Sequence, residues 1–280
     1  MKKTKAYIRK KFLRHSILNY YRHLSPEERT PEWDEVVRWL GKHKVFVFPY
    51  DFTQKYRAAE VPLHRDPEKN LFYTEYQGHR LYYKDAGSVS RAKRYFNSIF
   101  MEQDPASPHR YLTPDFDVEE GDVVVDIGAA EGNFAMDIAD RARKIWLFEA
   151  DPAWQQALQA TFAPWGEKVE IIPKMVSDHT SGATVALDDF FRDREPFDFI
   201  KIDVDGAELQ VIRGMERLLR EKKVRKIALC TYHRQQDAEF FSRLLRGYGY
   251  NIVFSPGYMI FRKRIEAPYL RRGVLRATLP

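Results

Sequence analysis

Hydrophobic and polar positions follow two different rhythms in this chain, with the change near residue 110. The first stretch is mixed. A basic helix over about 5–23 leads to Ser25-Pro26-Glu27-Glu28, where Ser25 suits an N-cap and Pro26 the first helical position. Pro31-Glu-Trp-Asp opens a second helix, which Gly41 ends before an apolar strand Val45–Phe48 stopped by Pro49. Leu71–Tyr76 and His79–Lys84, joined by Gln77-Gly78, predict a β-hairpin. Ser88–Asp104 predicts an amphipathic helix carrying Tyr95, Phe96, Ile99 and Phe100. From Gly121 onward short apolar runs alternate with helical patterns, the rhythm of a doubly wound α/β sheet. Strands are expected at about 122–127, 144–149, 168–173, 198–203, 226–231, 250–255 and 258–262. Only Pro256-Gly257 separates the last two, so they are expected to pair antiparallel and close a mostly parallel seven-stranded sheet. The expected organisation is an α+β N-terminal region (1–110), an α/β domain (111–265) and a basic C-terminal tail (266–280).

The most informative segment is Gly121-Asp-Val-Val-Val-Asp-Ile-Gly-Ala-Ala-Glu-Gly-Asn-Phe134. It reads as a buried strand that breaks at Gly128 and Gly132 and continues as a helix. Gly128 allows a tight turn, and Gly132 lets backbone N–H groups come close to a ligand at a helix N-terminus. A second strand ends in Trp146-Leu-Phe-Glu-Ala-Asp151, placing Glu149 where a ribose-hydroxyl acceptor is needed. Together these predict a nucleoside-cofactor site lined by Asp126, Gly128, Ala129, Gly132, Asn133, Glu149 and Ala150. The loop lacks the Gly-x-Gly-x-x-Gly spacing that a pyrophosphate requires and carries the acid Glu131. A carboxylate repels a pyrophosphate but suits a cofactor bearing a sulfonium and an ammonium, which favours S-adenosylmethionine over NAD. A terminal antiparallel hairpin points the same way, since a dinucleotide dehydrogenase sheet would stay parallel to its end.

Three stretches carry a family resemblance: Asp126-Ile-Gly-Ala129, Phe148-Glu-Ala-Asp151 and Lys201-Ile-Asp-Val-Asp-Gly-Ala-Glu208. In these the chain resembles the FkbM-type S-adenosylmethionine-dependent methyltransferases, over roughly residues 110–262. Asp205 departs from the pattern, which usually has Glu there. The resemblance implies a class I, Rossmann-like methyltransferase fold and O-methylation of a hydroxyl, with a sugar or a polysaccharide or glycolipid precursor as acceptor.

Ligands of open α/β sheets bind outside the C-terminal strand ends, which here deliver further candidates. Asp203 would face the cofactor's ammonium end or cap the following helix. Ser177 and Asp178 follow the third strand, and Asp178 either accepts from the adenine amino group or forms an Asx turn. His233, at the end of the fifth strand, is the best general base, because imidazole takes up a proton near neutral pH. Asp205 and Glu208 are the alternative catalytic carboxylates, although Glu208 near a helix N-terminus is favourable on dipole grounds alone. His109, Arg110, Tyr111 and Tyr232 are expected to bind the acceptor, and no metal ligand set is predicted. Lys201 lies in an apolar strand and requires a partner, Asp126 or Glu208.

Composition narrows the class. With 44% hydrophobic and 14% aromatic residues, the 280-residue chain is expected to fold throughout. The one cysteine, Cys230, sits in a predicted core strand, which rules out an intramolecular disulfide and suits a reducing cytoplasm. The basic start is followed by no long apolar region, so neither a signal peptide nor a membrane span is expected. Net charge is +6 and concentrates at the ends, residues 1–23 having no acid. That pattern fits a solvated tail or weak association with an anionic membrane surface. Nucleic acid is not an expected partner, since no recognised module accompanies the charge and the Asn/Asp-Pro-Pro-aromatic motif of base methylation is absent. A nucleic-acid methyltransferase, an NAD-dependent oxidoreductase and a non-catalytic S-adenosylmethionine-binding regulator stand as alternatives.

Overall fold

The computed structural model describes residues 2–85, 87–263 and 265–280. Helices α1 (Lys2–Arg22) and α2 (Pro31–Lys42) open the chain, with a short 3₁₀ turn at Pro26–Glu28 between them. Ser25 and Glu28 form a reciprocal capping box on that turn. Helix α2 runs one residue past Gly41, and the apolar run Val45–Phe48 forms no strand. Its buried residues face the core, and Val47 only accepts a single bond from the Ile260 N–H at 2.9 Å. Strands β1 (His64–Asp66), β2 (Leu71–Tyr76) and β3 (His79–Tyr83) make a small antiparallel sheet. Gln77 and Gly78 both have positive φ, 51° and 78°, the geometry a two-residue hairpin loop demands. Helix α3 (Val89–Glu102) follows, with the Ser88 hydroxyl capping its first turn.

The main sheet is built from β4 (Val123–Ile127), β5 (Lys144–Phe148), β6 (Val169–Ile172), β9 (Phe199–Ile202), β10 (Lys226–Cys230), β11 (Asn251–Phe254) and β12 (Val274–Thr278). Between β6 and β9 lie the two-residue strands β7 (Met175–Val176) and β8 (Thr184–Val185), which pair with each other. Sheet order is β11-β12-β10-β9-β4-β5-β6, parallel except for β12, which runs antiparallel to both neighbours. This is the class I methyltransferase arrangement, an α/β sheet closed by an antiparallel strand pair. Helices α4 (Asn133–Ile138) and α5 (Pro152–Phe162) pack on one face, in one continuous core with the N-terminal residues Ile17, Trp33, Leu81 and Phe96. The other face is covered by α6 (Leu187–Phe190), α7 (Glu208–Arg213), α8 (Glu216–Arg220) and α9 (Asp237–Gly247).

The closing hairpin differs from the expected one. Its second strand is 274–278, not 258–262, and the 266–280 stretch expected as a basic tail contains it. Residues 255–263 and 265–273 form a long excursion instead of a tight turn, with Phe261 and Lys263 beside the residues at the C-terminal strand ends. The apolar run at 258–262 spends its burial on the N-terminal region: the Tyr258 N–H donates to the Tyr50 hydroxyl, and Met259 and Ile260 are buried. The basic residues are absorbed into the fold. Arg276 is buried and donates to the carbonyls of Tyr111 and Arg110 at 3.0 and 2.8 Å. Burial pulls its pKa down to about 10, with Arg110 adding to the shift. Arg272 pairs with Glu32 at 2.8 Å.

Val274, Leu275 and Ala277 are fully buried on β12, between two hydrogen-bonded neighbours. Burying a Val or Leu side chain stabilises by about 1.5–3 kcal/mol. Losing these residues together with two ladders is comparable to the whole net stability of a domain, about 5–15 kcal/mol. Truncation after residue 265 is therefore expected to abolish cooperative thermal unfolding. A truncated chain with the full-length melting temperature would show β12 to be dispensable.

Candidate active site

The parallel ladder of β4 and β9 sets Asp126 directly beside Lys201, in the interior of the sheet. Both are buried, and the Lys201 ammonium lies 3.0 Å from Asp126 Oδ1 while donating to the Gly128 carbonyl at 2.7 Å. Of the two partners weighed for Lys201, the structure brings it Asp126. Asp126 is thus a wall behind the site and not part of the cavity lining. Burial raises its pKa, against the lowering effect of Lys201.

Beyond the strand ends lies a cavity of about 400 Å³, in the size range of small-ligand sites. Of the predicted residues, Gly128, Glu149, Ala150, Asp203, Asp205, Tyr232 and His233 line it. Gly128 has φ 72°, and a Cβ there would stand 1.9 Å from the Asp203 carbonyl oxygen. The strand ends themselves occupy the space that glycine leaves. Gly132, with φ 86°, serves packing: a Cβ would meet the Phe162 ring at 2.6 Å. Ala129 is buried in the same loop and Asn133 at the start of α4, and Gly128 and Ala129 both donate to the Phe148 carbonyl at 3.0 and 3.2 Å. Glu149 Oε2 accepts from the Ala130 N–H at 2.8 Å and Oε1 from the Asp151 N–H at 2.7 Å. It pins the loop against β5 and keeps lone pairs toward the cavity.

Three features of the loop region were not visible in the sequence. Glu131 turns away from the cavity, is buried, and accepts from the Tyr95 hydroxyl. Burial pushes its carboxyl up to about 7, and because it does not line the cavity it does not supply the acid expected beside a sulfonium. Met175 and Val176, on β7, supply apolar lining opposite Phe148, with Lys174 beside them. Ser177 and Asp178 lie off the cavity; Asp178 faces solvent against His179 Nδ1 at 2.9 Å. That contact holds its carboxyl below the usual range.

Asp203 is the hub of the site. It accepts from the Tyr111 hydroxyl at 3.0 Å and from the Tyr232 hydroxyl at 3.1 Å, and His109 Nε2 lies 3.4 Å away. Burial works against its charge, but His109, Lys201 and His233 overcome that and hold the carboxyl far below the usual range. Tyr111 and His109 are buried behind the hub and do not line the cavity, and Arg110 turns back to the Leu112 carbonyl at 2.7 Å. Of the N-terminal aromatics, Tyr111 reaches the hub, whereas Tyr82, Tyr83 and Phe96 are core residues.

His233 continues β10 onto the cavity wall. Its Nδ1 lies 2.7 Å from Glu208 Oε1, and its Nε2 lies 3.5 Å from Asp203 and 3.6 Å from Asp205. Burial lowers its pKa, but Glu208 and the two aspartates reverse this, leaving it raised. Glu208 is buried at the first position of α7, where its Oε1 also accepts from the Gly206 N–H at 3.1 Å. Asp205 sits at φ 54°, a left-handed conformation that a short polar side chain tolerates. Its exposed carboxylate pairs with Lys263 at 2.9 Å, and Phe261 packs edge-on to His233. Both contacts come from the stretch between β11 and β12, of which only 258–262 was expected, and as a strand.

Residues 171–252 match the methyltransferase FkbM domain family. No curated protein matches the chain in sequence. Among solved structures, the chain is similar to the precorrin-8w decarboxylase of Methanobacterium thermoautotrophicum, with 16% identity over 57% of this chain and 81% of that one and a TM-score of 0.38. It is also similar to precorrin-6y C5,15-methyltransferase of Geobacter metallireducens (13%, 57% and 82%, 0.40) and to an rRNA methylase of Streptococcus thermophilus (16%, 58% and 90%, 0.39).

The cavity fits S-adenosylmethionine by its donor set. A carboxylate, Glu149, stands at the end of β5 for ribose hydroxyls, apolar side chains of Phe148, Met175 and Val176 offer a slot for a base, and Asp203 carries negative charge for an ammonium. Glu149→Ala is expected to weaken S-adenosylhomocysteine binding by about 1.5–3 kcal/mol, as for a hydrogen bond to a charged group. Titration calorimetry on the folded variant checks this, and unchanged affinity would remove Glu149 from the ribose site.

Proposed function

We propose that this chain, an S-adenosylmethionine-dependent methyltransferase carrying an FkbM domain, is an O-methyltransferase that acts on a hydroxyl of a sugar or of a polysaccharide or glycolipid precursor. Bound S-adenosylmethionine supplies an electrophilic methyl group on a sulfonium. Gly128, Glu149, Ala150 and Asp203 would hold it. The chain's remaining task is to align a hydroxyl with that methyl and to take its proton, and alignment alone lowers such barriers by several kcal/mol.

The observation that carries the reading is the placement of His233. It lines the cavity, its Nδ1 lies against buried Glu208, and its Nε2 side faces Asp203 and Asp205. The carboxylate fixes the ring and stabilises the imidazolium that forms when the acceptor hydroxyl loses its proton. Asp205, exposed and paired with Lys263, is placed to meet the acceptor at the cavity mouth. Asp203 is too well supplied with donors to act as the base.

The raised pKa of His233 sets the sign of the pH dependence. The neutral, base-competent form is lost as pH falls through a value above that of free imidazole, about 6.5. The methylation rate should therefore rise with pH through a midpoint above that value. Glu208→Gln removes the main counter-charge and should move the midpoint down while slowing turnover. His233→Gln should lower kcat by about 10²–10⁴-fold, with S-adenosylhomocysteine affinity nearly unchanged. A His233 variant that keeps both rate and pH profile would transfer the role to Asp205 or Glu208.

A second reading concerns location. Of the two basic termini, the C-terminal one is folded into the sheet, whereas α1 packs on α2 through Ile17 and Arg14 and leaves its other side at the surface. No acid occurs among residues 1–23, and the Phe12 ring is 74% exposed next to Lys11. We propose that α1 leans on an anionic membrane surface, where basic residues add about 1 kcal/mol each and an exposed ring anchors. Among the described residues no helix is long and apolar enough to cross a membrane. Co-sedimentation with phosphatidylglycerol vesicles but not phosphatidylcholine vesicles, weakened by salt and by Phe12→Ala, is the expected result. Equal pelleting with both lipids, or with neither, sinks the idea.

A further inference from the structure

A second cavity, of about 340 Å³, lies on the far side of the turn that carries Asp205. Successive residues of that turn face alternate sides. Asp205 and Ala207 line the first cavity, while Gly206 and Glu208 line the second. The partition is one residue thick: a Cβ on Gly206 would stand 3.7 Å from Arg234 Nε and 3.9 Å from the His233 Cβ. Glu208, in contact with His233 Nδ1, therefore belongs to both neighbourhoods.

Beside two apolar side chains, the remaining walls combine planar polar groups with an aromatic ring: Arg234, Gln235, Gln236, Asp237, Phe240 and Glu266. Some of these are committed to the fold. Gln235 donates to the Leu270 carbonyl at 3.0 Å, and Asp237 accepts from the Arg234 N–H at 2.8 Å. Others are free to meet a ligand. The Phe240 ring is 40% exposed, the Gln236 side-chain amide is exposed and meets no partner among the described residues, and Glu266 is exposed. Arg234 uses one amino group on the Gly206 carbonyl at 2.7 Å and keeps the rest of its fork. Planar amide, guanidinium and carboxylate groups match pairs of neighbouring hydroxyls, and an exposed ring takes the C–H face of a saturated ring. The lining brings three carboxylates (Glu208, Asp237, Glu266) against the Arg234 guanidinium, with His233 on Glu208 and Arg271 beside Gln235, so it carries no excess positive charge to attract an anionic ligand.

We propose that this second cavity is an acceptor subsite for a neutral sugar unit, the one adjoining the sugar whose hydroxyl reaches His233. The inference rests on the methyl-transfer reading given above, and it makes the acceptor a neutral glycan of at least two units that straddles the Gly206 ridge.

The test uses the full chain saturated with S-adenosylhomocysteine and saturation-transfer NMR with neutral methyl glycosides and disaccharides of the gluco, galacto, manno and N-acetylglucosamine series. At least one neutral disaccharide should show transfer. Phe240→Ala and Gln236→Ala should each weaken it by about tenfold, the change for one lost contact of about 1.4 kcal/mol. The uronic-acid counterpart should bind more weakly than its neutral parent. Absence of transfer from every neutral sugar, transfer that survives both substitutions, or tighter binding of the acid counterpart would overturn the proposal. Calorimetry of S-adenosylhomocysteine in the same samples separates the two readings. Lost cofactor binding by the wild-type chain would sink the methyltransferase assignment, whereas lost sugar binding with cofactor binding intact sinks the subsite alone.

Discussion

A buried ammonium sets the terms for the rest of the site. Lys201 sits in the middle of the sheet between Asp126 on the neighbouring strand and Asp203 two residues along its own. Burial opposes its charge, and the two carboxylates restore it. Such a pair is not in itself a strong source of stability, because desolvation offsets much of the attraction. Its value here is local. The positive charge helps keep Asp203 ionised in a place where a lone carboxyl would take up a proton. An ionised Asp203 then accepts from both Tyr111 and Tyr232, which ties the segment before β4 and the end of β10 to the same point.

That convergence also explains the glycine at the end of β4. The Asp203 carbonyl comes so close to Gly128 that no side chain fits between the two strand ends. A loop of this kind is usually read as shaped by its ligand. Here the protein's own backbone needs the space first, and the ligand cavity lies beyond it. Gly132 tells the same story against Phe162. Glu149 joins the two roles, since its carboxylate holds the loop N–H of Ala130 while facing the cavity.

How much of this was legible in the sequence depends on the range of the interactions involved. Strands β4, β5, β6, β9 and β10 are short, mostly apolar runs, and their C-terminal ends put Glu149, Asp203 and His233 at one rim by topology alone. Strand β12 was hidden by Arg276 in its middle, which reads as a tail residue until two backbone carbonyls 165 and 166 positions away receive its guanidinium. The run at 258–262 has the composition of a strand, yet it makes only a single antiparallel bridge, Met259 with Arg271, and its other backbone partners are Tyr50 and Val47. Glu131 looked like a cofactor residue because the loop position suggested it. A hydroxyl from α3, invisible at sequence range, turns it inward. Phe261 and Lys263 escaped for the same reason as β12, since the excursion that carries them exists only because the hairpin is not tight.

Two imidazoles approach Asp203, and their surroundings divide the labour between them. His109 is buried with Phe48, Tyr111 and Tyr232 around its ring, and its Nε2 is taken up by the Tyr232 hydroxyl at 3.1 Å and by Asp203. It does not line the cofactor cavity and serves to hold the hub's charge. His233 has its carboxylate partner behind it, on the Glu208 side, and its Nε2 edge among groups that face the open cavity. A base must meet both a proton source and a counter-charge, on different nitrogens. Only the second imidazole has that arrangement, and it arises from an ordinary feature of the fold: β10 ends at the sheet's rim beside the first turn of α7. The one-residue Gly206 ridge between the two cavities then decides how far an acceptor can extend while one of its hydroxyls stays within reach of that nitrogen.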